Sequence, residues 1–398
     1  MAPNRILTTH VGSLIRPPKF VEILRAIENK EKVAPEAYET ALRDSVAQVV
    51  REQAEAGVDI VSDGEYGKGY NWAFYVHSRL SNIETRPLTA EEARDPQVSP
   101  GGGRDRDAFP EYYAEADKAS GLASRLGNRF ISTGPITYVG HKELQRDIDN
   151  LKAAVAKVRV EGAFLPVVAP ASALPGCKTE HYKSEKDFLF ALAEALRVEY
   201  KAITDAGLYV QIDDAFLPFM QEKLVPPMSL ADYKKWAQLR IDALNHALEG
   251  IPVEKTRYHI CWGSWSGPHK YDVELKDIID LLLQVNVGAY SFEAANVRHE
   301  HEWKVWKTVT LPKGKKILPG VISHATNVLE HPELIADRLI RFADIVGKEN
   351  VMASSDCGFA QSPFARRVHP SIQWAKLQSM AEGARMASEY LWGKRSAA

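Results

Sequence analysis

Residues 186–216 read KDFLFALAEALRVEYKAITDAGLYVQIDDAF and contain one complete helix-then-strand unit. Apolar residues recur at helical spacing from Lys186 to Ala206, and Gly207 follows as a helix C-cap. The next residues, Leu208–Phe216, form a short and largely apolar run of the kind found in strands buried on both faces. This stretch therefore indicates a helix that packs against a buried, parallel sheet.

Eight segments of this strand type alternate with helical stretches along the chain. The predicted strands are Arg5–Gly12, Val58–Glu65, Phe164–Ser172, Leu208–Phe216, Arg257–Gly263, Ala289–Asn296, Ile317–Ser323 and Asn350–Gly358. Further predicted helices are Ala41–Ala56, Leu275–Gln284, Pro332–Val346 and Ile372–Leu391. Eight strands in one alternating order favour an α/β fold of the (β/α)8 TIM barrel type over a doubly wound sheet. A dinucleotide-binding sheet would also need a GxGxxG turn after the first strand, and Val11-Gly12-Ser13 does not supply one.

The stretch between the second and third predicted strands does not follow this alternation. Residues Ser81–Gly127 are polar, charged and rich in glycine, and they include Ser99-Pro-Gly-Gly-Gly-Arg104. After them, Phe130–Tyr138 has the pattern of an additional strand outside the eight. We therefore predict one barrel domain over residues 1–398, with an insertion at about residues 81–139. Two interpretations of residues 81–127 are open: a lid over one barrel face, or a solvated loop without function.

Composition disfavours several classes of function. The chain has 398 residues, of which 45% are hydrophobic, and its net charge is −2. This balance gives no electrostatic reason to bind nucleic acid or an anionic membrane. The sequence also has no apolar stretch of transmembrane length and no signal-peptide core. Three widely spaced cysteines, at positions 177, 261 and 357, do not suggest disulfides, so we expect a cytoplasmic protein with free thiols, for which a homo-oligomer is possible.

Four residues with metal-binding side chains lie at the predicted carboxyl ends of strands. His259 and Cys261 are two residues apart in the fifth predicted strand, so both side chains point to the same face. Glu293 lies at the end of the sixth predicted strand, and Cys357 at the end of the eighth. Barrel enzymes place their active sites at these strand ends, and two thiolates, one imidazole and one carboxylate form a tetrahedral set suited to Zn²⁺. The sequence thus predicts a zinc site.

Each of these residues also has a purely structural interpretation. A single buried cysteine is usually a small core residue, and a single buried histidine is usually hydrogen-bonded within the core. The coincidence of four such residues at strand ends favours the metal site. Cys177 has no such partners, and we interpret it as structural.

The same residues belong to a longer series of motifs that resembles the C-terminal catalytic barrel of cobalamin-independent methionine synthase. The matching motifs run nearly from end to end: Thr8-Thr-His-Val-Gly-Ser13, Asp63-Gly-Glu65, Gln211-Ile-Asp-Asp214, His259-Ile-Cys261, Glu293, Gly320-Val-Ile-Ser-His324 and Asp356-Cys-Gly358. They occur in the order of the family. The resemblance implies four zinc ligands, in agreement with the strand-end argument: His259, Cys261, Glu293 and Cys357.

The resemblance also implies roles for four residues outside the metal set. His324 matches the histidine that protonates the leaving group in the family. Glu65 and Asp213 match the carboxylates that bind the substrate ammonium, and Ser13 matches a loop position near the amino-acid substrate. Zinc deprotonates a thiol that coordinates it, so the implied chemistry is attack by a thiolate on an alkyl group.

Two features separate the chain from the full-length family pattern. It is long enough for only one of the two barrels, and its third predicted strand ends in Ala169-Pro-Ala-Ser172, without the family's tryptophan that helps to hold folate. The motif Asp63-Gly-Glu-x-x-Lys68 is similar to the single-barrel branch that includes epoxyalkane:coenzyme M transferases. For the sulfonate of coenzyme M, the candidate binding residues are Lys68, Arg298 and Arg366.

The predicted function is that of a zinc-dependent S-methyltransferase, which moves a methyl group from a folate or another small donor to homocysteine or a similar thiol. Glu65 and Asp213 favour a thiol that bears an ammonium group, such as homocysteine. An alternative is alkylation of a thiol such as coenzyme M by an epoxide. Two others are a metal-free decarboxylase of the uroporphyrinogen type, which the four metal-binding residues disfavour, and a barrel that binds a ligand without catalysis.

Overall fold

Seven parallel strands form the central sheet of the computed structural model, which describes residues 4–69, 71–92, 103–120, 128–173 and 178–393. With strands numbered along the chain, the sheet runs in the order β1 (Ile60–Ser62), β4 (Gly162–Val168), β6 (Tyr209–Asp214), β7 (Thr256–Ile260), β8 (Ala289–Phe292), β9 (Lys316–Ile322) and β10 (Ser354–Ser355). Each overlaps one predicted strand, from the second to the eighth, which confirms the α/β class. Every neighbouring pair is parallel, so all seven carboxyl ends lie on the same side of the sheet.

The first predicted strand, Arg5–Gly12, differs from the prediction. It is not a strand over that length, and Thr8 makes one parallel bridge to Ala353, just before β10. On its other side, the Thr8 carbonyl accepts hydrogen bonds from the backbone amides of Asp59 (3.1 Å) and Ile60 (3.0 Å), at the start of β1. This segment therefore contacts both outer strands of the seven-stranded sheet.

A second sheet of three strands lies in and next to the predicted insertion. Its strand β2 (Ile83–Pro87) pairs antiparallel with β3 (Asn128–Ser132), and β5 (Lys178–Thr179) pairs parallel with β3. The additional strand predicted over Phe130–Tyr138 thus corresponds to β3, which begins and ends earlier than predicted. Most of the glycine-rich motif between β2 and β3 lies outside the described residues.

Helices separate most of these strands. The α-helices are α1 (Pro18–Glu28), α2 (Pro35–Glu55), α3 (Arg104–Ala108), α4 (Pro110–Ser120), α5 (His141–Val155), α6 (Pro170–Ala173), α7 (Glu185–Asp205), α8 (Phe216–Leu224), α9 (Leu230–Ala247), α10 (Leu275–Leu282), α11 (Pro332–Val346) and α12 (Pro370–Trp392). Short 3-10 helices cover Phe74–Arg79, Val253–Lys255, Glu300–Lys307 and Lys348–Asn350. The five predicted helices correspond to α2, α7, α10, α11 and α12. Within the described ranges, no helix has the length and apolar character needed to cross a bilayer.

Helix α7 illustrates how the sequence sets the bounds of an element. At its start, the Ser184 side chain accepts a hydrogen bond from the backbone amide of Asp187 at 3.1 Å, which satisfies one of the free N–H groups of the first turn. At its end, Gly207 adopts a φ of +89°, which a residue with a side chain rarely adopts. The helix therefore begins and ends where the serine and the glycine allow.

A buried ion-pair network ties the 3-10 helix at Phe74–Arg79 to the helical layer. The Arg79 guanidinium donates to Asp147 in α5 at 2.5 Å and to Glu199 in α7 at 2.7 Å. Glu199 also accepts a hydrogen bond from the Tyr75 hydroxyl at 2.8 Å. Because all of these charged groups are buried and paired, removing one partner would leave the others without compensation.

Candidate metal centre

Three metal-binding side chains meet at the carboxyl ends of β7 and β10. One donor atom each from His259, Cys261 and Cys357 lies within 4.8 Å of the other two, and all three residues are buried. His259 is in β7, Cys261 directly follows that strand, and Cys357 comes two residues after β10. Three of the four predicted metal ligands are thus brought together.

The His259 ring is oriented with one nitrogen free. Its Nδ1 atom lies 3.1 Å from the Ser291 hydroxyl on the neighbouring strand β8, with which it shares a hydrogen bond. Its buried Nε2 has no hydrogen-bond partner within the described part of the chain. Burial lowers the pKa of His259 to about 3, so the ring is neutral at pH 7. A neutral imidazole with one nitrogen held and the other free is the form that binds a metal ion.

The two thiols are spaced as a tetrahedral metal ion requires. The Sγ atoms of Cys261 and Cys357 are 3.5 Å apart, while two sulfurs at the usual zinc distance from one tetrahedral ion would be ~3.8 Å apart. The backbone amide of Gly263 donates to the Cys261 sulfur at 3.2 Å, a contact that stabilises a thiolate. Without a cation, the hydrogen bond with Cys357 and burial raise the pKa of the Cys261 thiol. The donor set fits zinc.

Glu293, the fourth predicted ligand, lies next to this group but does not belong to it. Its Oε1 accepts a hydrogen bond from the backbone amide of Trp262 at 3.0 Å, and its Oε2 accepts one from the side-chain amide of Asn296 at 2.7 Å. Burial raises the pKa of its carboxyl to about 7. Because Trp262 directly follows Cys261, the carboxylate lies beside the group with both oxygens engaged elsewhere.

Asp356 joins the two loops that carry Glu293 and Cys357. Its fully buried carboxylate accepts hydrogen bonds from three successive backbone amides after Glu293, those of Ala294, Ala295 and Asn296, each at 2.8 Å. The side-chain amide of Asn296 donates a fourth at 3.0 Å. The motif Asp356-Cys-Gly358 did not predict this positioning role, although a charged residue at a buried strand end was a signal for it.

His324 follows β9 and is fully buried on the same side of the sheet. Neither of its ring nitrogens has a hydrogen-bond partner at normal geometry within the described part of the chain, although the nearby Ser264 backbone opposes the effect of burial on its pKa. Burial lowers its pKa to about 3, and a charge on His324 would lower the pKa of His259, so the two rings interact electrostatically. Buried imidazoles are normally hydrogen-bonded, and a free one next to three metal-binding side chains is available to a ligand.

The loop at Ser13 lies between the candidate metal site and Glu65. Its carbonyl accepts a hydrogen bond from the amide of Phe359 at 2.8 Å, two residues after Cys357. The following amide, that of Leu14, donates to the carbonyl of Gly64 at 3.1 Å. Ser13 and Leu14 together therefore connect the Cys357 loop to the turn that carries Glu65.

The buried side chain of His10 makes hydrogen bonds that hold the Ser13 loop in place. Its Nδ1 accepts a hydrogen bond from the Gly12 amide at 3.1 Å, and its Nε2 lies 2.7 Å from the Gln53 side-chain oxygen. With Nδ1 accepting, Nε2 carries the proton and donates to Gln53. Burial lowers the pKa of His10 to about 4.

Glu65 and Asp213 are both buried, but Glu65 already has a cationic partner. The Nζ atom of Lys68 lies 3.1 Å from its Oε1. Asp213 is in β6, where it is paired in register with His259 on β7, and its Oδ1 accepts a hydrogen bond from Gln211 at 2.7 Å. Burial and the charge of Glu65 raise the pKa of the Asp213 carboxyl, while Lys68 acts in the opposite direction. The two carboxylates and the lysine therefore form one interacting group.

The three predicted sulfonate-binding cations differ in their surroundings. Lys68 is paired as described, Arg298 donates to the Lys270 carbonyl at 2.9 Å, and Arg366 is exposed. The neighbouring Arg367, which the sequence reasoning did not select, is half-buried and interacts electrostatically with both thiols of the candidate metal site. It donates a hydrogen bond to the Gln361 side chain at 2.9 Å, and it contributes positive charge at this centre together with Arg257, which lowers the pKa of His259.

A family model for the catalytic domain of cobalamin-independent synthases matches residues 6–159 and 170–384. The match includes every residue of the candidate metal site and of the group around Glu65. The chain belongs to the cobalamin-independent synthase family.

Relatives in this family extend over almost the whole chain. The chain is 24% identical over 393 residues to methionine synthase from Sulfurisphaera tokodaii, which covers 97% of this chain and 94% of that protein. Methionine synthase from Sulfolobus acidocaldarius is 25% identical over 385 residues, which cover 96% and 93%. A solved B12-independent methionine synthase from Shewanella sp. W3-18-1, in complex with selenomethionine, has the same fold with a TM-score of 0.69 and 20% identity, covering 98% and 99% of the two chains. The chain thus matches these relatives over almost their whole length as well as its own.

In this member of the family, the described part of the insertion packs against the loop that follows Cys261. The carboxylate of Asp105, in α3, accepts hydrogen bonds from the backbone amides of His269 and Lys270, both at 2.9 Å. The Tyr113 hydroxyl, in α4, donates to Asp105 at 3.0 Å. Asp105, supported by Tyr113, therefore attaches the start of this segment to the loop after β7.

Proposed function

We propose that the chain is a zinc-dependent S-alkyltransferase, which transfers a methyl group from a folate or another small donor to the thiol of homocysteine or a similar small molecule. The observation that carries the proposal is the buried group of His259, Cys261 and Cys357, whose donor types and spacing suit zinc. The methionine synthases among its relatives support the same class of reaction.

We assign a role in this reaction to each residue of the candidate metal centre. His259, Cys261 and Cys357 would hold the ion, and the neighbouring Glu293 carboxylate would supply a fourth ligand by giving up one of its present hydrogen bonds. Bound zinc would lower the pKa of a coordinating substrate thiol, so that it reacts as a thiolate at neutral pH. Glu293 would be the ligand that gives way to a substrate thiol, because the Trp262 amide and the Asn296 side chain can hold its carboxylate beside the group.

The remaining predicted residues would protonate the leaving group and bind the polar end of the acceptor thiol. Because the His324 ring is neutral at pH 7, it would donate its N–H proton to the leaving group of the alkyl donor while its second nitrogen takes up another proton. Ser13, Glu65 and Asp213 surround the polar end of the acceptor thiol. We also propose that residues 5–12, the first predicted strand, close the seven-stranded sheet into a single (β/α)8 barrel. The support is that Thr8 contacts both outer strands of that sheet. The setting is cytoplasmic, where thiols remain reduced.

A second candidate is alkylation of an anionic thiol such as coenzyme M by an epoxide. Two buried or half-buried cations favour it, Lys68 beside Glu65 and Arg367 beside the thiols. The metal chemistry would be the same in both candidates, since in each a zinc-bound thiolate attacks carbon.

Metal analysis tests the shared part of both candidates. Wild-type protein should carry about one zinc per chain, and Cys357→Ser should lose most of it, because one thiolate ligand is gone. The matched control is Cys177→Ser, which removes the remaining cysteine and should keep the zinc. Full zinc content in Cys357→Ser would refute the site.

A further inference from the structure

His299 is a buried imidazole whose two ring nitrogens both face carboxylates. Its Nδ1 atom lies 2.8 Å from Glu302 Oε2, and its Nε2 atom lies 3.1 Å from Asp272 Oδ2. An ionised carboxylate only accepts hydrogen bonds, so both nitrogens carry protons and the ring is a cation. Burial acts to lower the pKa of His299, but the hydrogen bonds with Asp272 and Glu302 outweigh it and raise that pKa to about 10. The reaction steps proposed for the metal centre do not use this buried cation.

Both carboxylates that hold the His299 ring are themselves fixed. Asp272, in the loop after β7, also bonds to Nδ1 of His269 at 3.0 Å. Glu302 accepts a second hydrogen bond through its Oε1 from the backbone amide of Leu275 at 2.6 Å. Neither carboxylate can therefore turn away from His299 without losing another contact, and the ring has a defined position between the loops after β7 and β8.

His299 also contacts both groups that hydrogen-bond to Glu293. Its ring packs on that of Trp262, with 4.4 Å between the ring centres, and the Trp262 amide donates to Glu293 Oε1 at 3.0 Å. The backbone amide of His299 donates to Asn296 Oδ1 at 3.1 Å. This bond turns the NH₂ group of Asn296 toward Glu293 Oε2, to which it donates at 2.7 Å. One residue thus fixes both donors of the carboxylate.

The charge of His299 acts on Glu293 in the same direction as these donors. Burial raises the pKa of the Glu293 carboxyl, and the largest influence in the opposite direction is the positive charge on His299. Attraction between the imidazolium and the carboxylate therefore stabilises Glu293 where it lies, beside His259, Cys261 and Cys357. A metal ion held by those three residues would compete with this attraction for the fourth ligand.

We propose that His299 is a positioning residue that makes Glu293 the exchangeable ligand of the candidate zinc site. By holding the carboxylate beside the group, it weakens the bond of Glu293 to the ion and lowers the cost of admitting a substrate thiol. In this exchange the thiol sulfur replaces a Glu293 oxygen, the thiol proton leaves to solvent, and the carboxylate regains its hydrogen bonds. The inference rests on the proposed function, since it concerns the ligand that the thiol would replace.

A charge-balanced variant that combines His299→Gln with Glu302→Gln tests this role. Two glutamine side chains can still bond to each other, to Asp272 and to the Leu275 amide, so the variant removes one buried positive and one buried negative charge. Competition with a chromogenic chelator should show zinc bound at least as tightly as in wild type, because Glu293 then stays on the ion more readily. Calorimetric titration of the zinc-loaded protein should show homocysteine binding weakened by about tenfold.

Two comparisons show whether the effect passes through Glu293. His246→Gln with Glu249→Gln is the matched control, because His246 also faces a glutamate three residues later through Nδ1, at 3.3 Å, but lies on α9, which leads into the amino end of β7. This control should change neither measurement. In a Glu293→Gln background, the changes at His299 and Glu302 should no longer affect homocysteine binding, because the carboxylate on which they act is absent.

The outcomes separate this inference from the function on which it rests. A parallel loss of zinc and homocysteine binding would show that His299 only supports the fold. Unchanged homocysteine binding, or a loss that persists in the Glu293→Gln background, would refute its action through Glu293. If the charge-balanced variant does not fold, Asn296→Ala decides the matter, since it removes one donor to Glu293 and should weaken homocysteine binding without loss of zinc. If zinc-loaded wild type does not bind homocysteine, the proposed function itself fails and the inference falls with it.

Discussion

Asp356→Asn should loosen both loops that carry ligands of the candidate zinc site. The buried carboxylate accepts four hydrogen bonds, from the amides of Ala294, Ala295 and Asn296 and from the Asn296 side chain. An asparagine has one acceptor oxygen, so either orientation of its amide leaves two of the four donors facing an NH₂ group. A buried donor without an acceptor costs about 1–3 kcal/mol, so the free energy of unfolding should fall by about 2–6 kcal/mol.

The same substitution should weaken zinc binding, because Glu293 and Cys357 are then held less firmly. Loss of such an outer partner typically lowers metal affinity by about 10–100-fold. Urea unfolding of the metal-free protein would measure the first effect, and competition with a chromogenic chelator the second. The control is Asp344→Asn, an exposed carboxylate on α11, which should change neither. A loss of less than about 1 kcal/mol together with unchanged zinc affinity would show that Asp356 does not position these loops.

Two further predictions concern buried groups away from the metal ligands. Arg79→Met should lower the free energy of unfolding by about 3–5 kcal/mol in urea titrations, because two buried carboxylates lose their cation, whereas Arg385→Met on the surface should leave the urea midpoint near that of wild type. His10 is neutral in the folded state down to a pH of about 4, while the unfolded chain takes up its proton near pH 6.5. Its stabilising contribution is therefore complete above pH 6.5 and is lost as the pH falls toward 4, by about 3 kcal/mol. His10→Gln should flatten the dependence of the urea midpoint on pH over this range, and an unchanged dependence would contradict the assignment.

The sequence predicted the central strands well because their residues are apolar on both faces. Seven of the eight predicted strands are present, and helix α11 matches its predicted bounds, Pro332–Val346. Three strands end earlier than predicted next to a candidate metal ligand: β7 ends directly before Cys261, β8 directly before Glu293, and β10 two residues before Cys357. At these positions the backbone no longer pairs with the neighbouring strands, and side chains from different strands come together beyond the end of the sheet. The pattern of apolar residues does not show where this pairing stops.

The candidate metal ligands could also be predicted from the sequence, because their residue types and their positions at strand ends are enough to group them. The residues that hydrogen-bond to these ligands or act on their charge could not be predicted. Asp356 contacts amides some 60 positions earlier in the chain, and Arg367 reaches the thiols from a loop that the strand pattern does not define. Such contacts depend on how separate loops pack over the end of the sheet. The type of a residue determines which hydrogen bonds it can donate or accept, but the partner atom is known only from the folded structure.

The pairing of Glu65 with Lys68 shows why this distinction matters for function. From the sequence alone, two carboxylates near a zinc site favoured an acceptor that carries an ammonium group. In the folded chain, a lysine three residues after Glu65 provides that ammonium from within the protein. A ligand ammonium that approached Glu65 would meet a carboxylate that a protein ammonium already engages at 3.1 Å. Residue types along the chain do not reveal this pairing, because it depends on the turn that directs the two side chains toward each other.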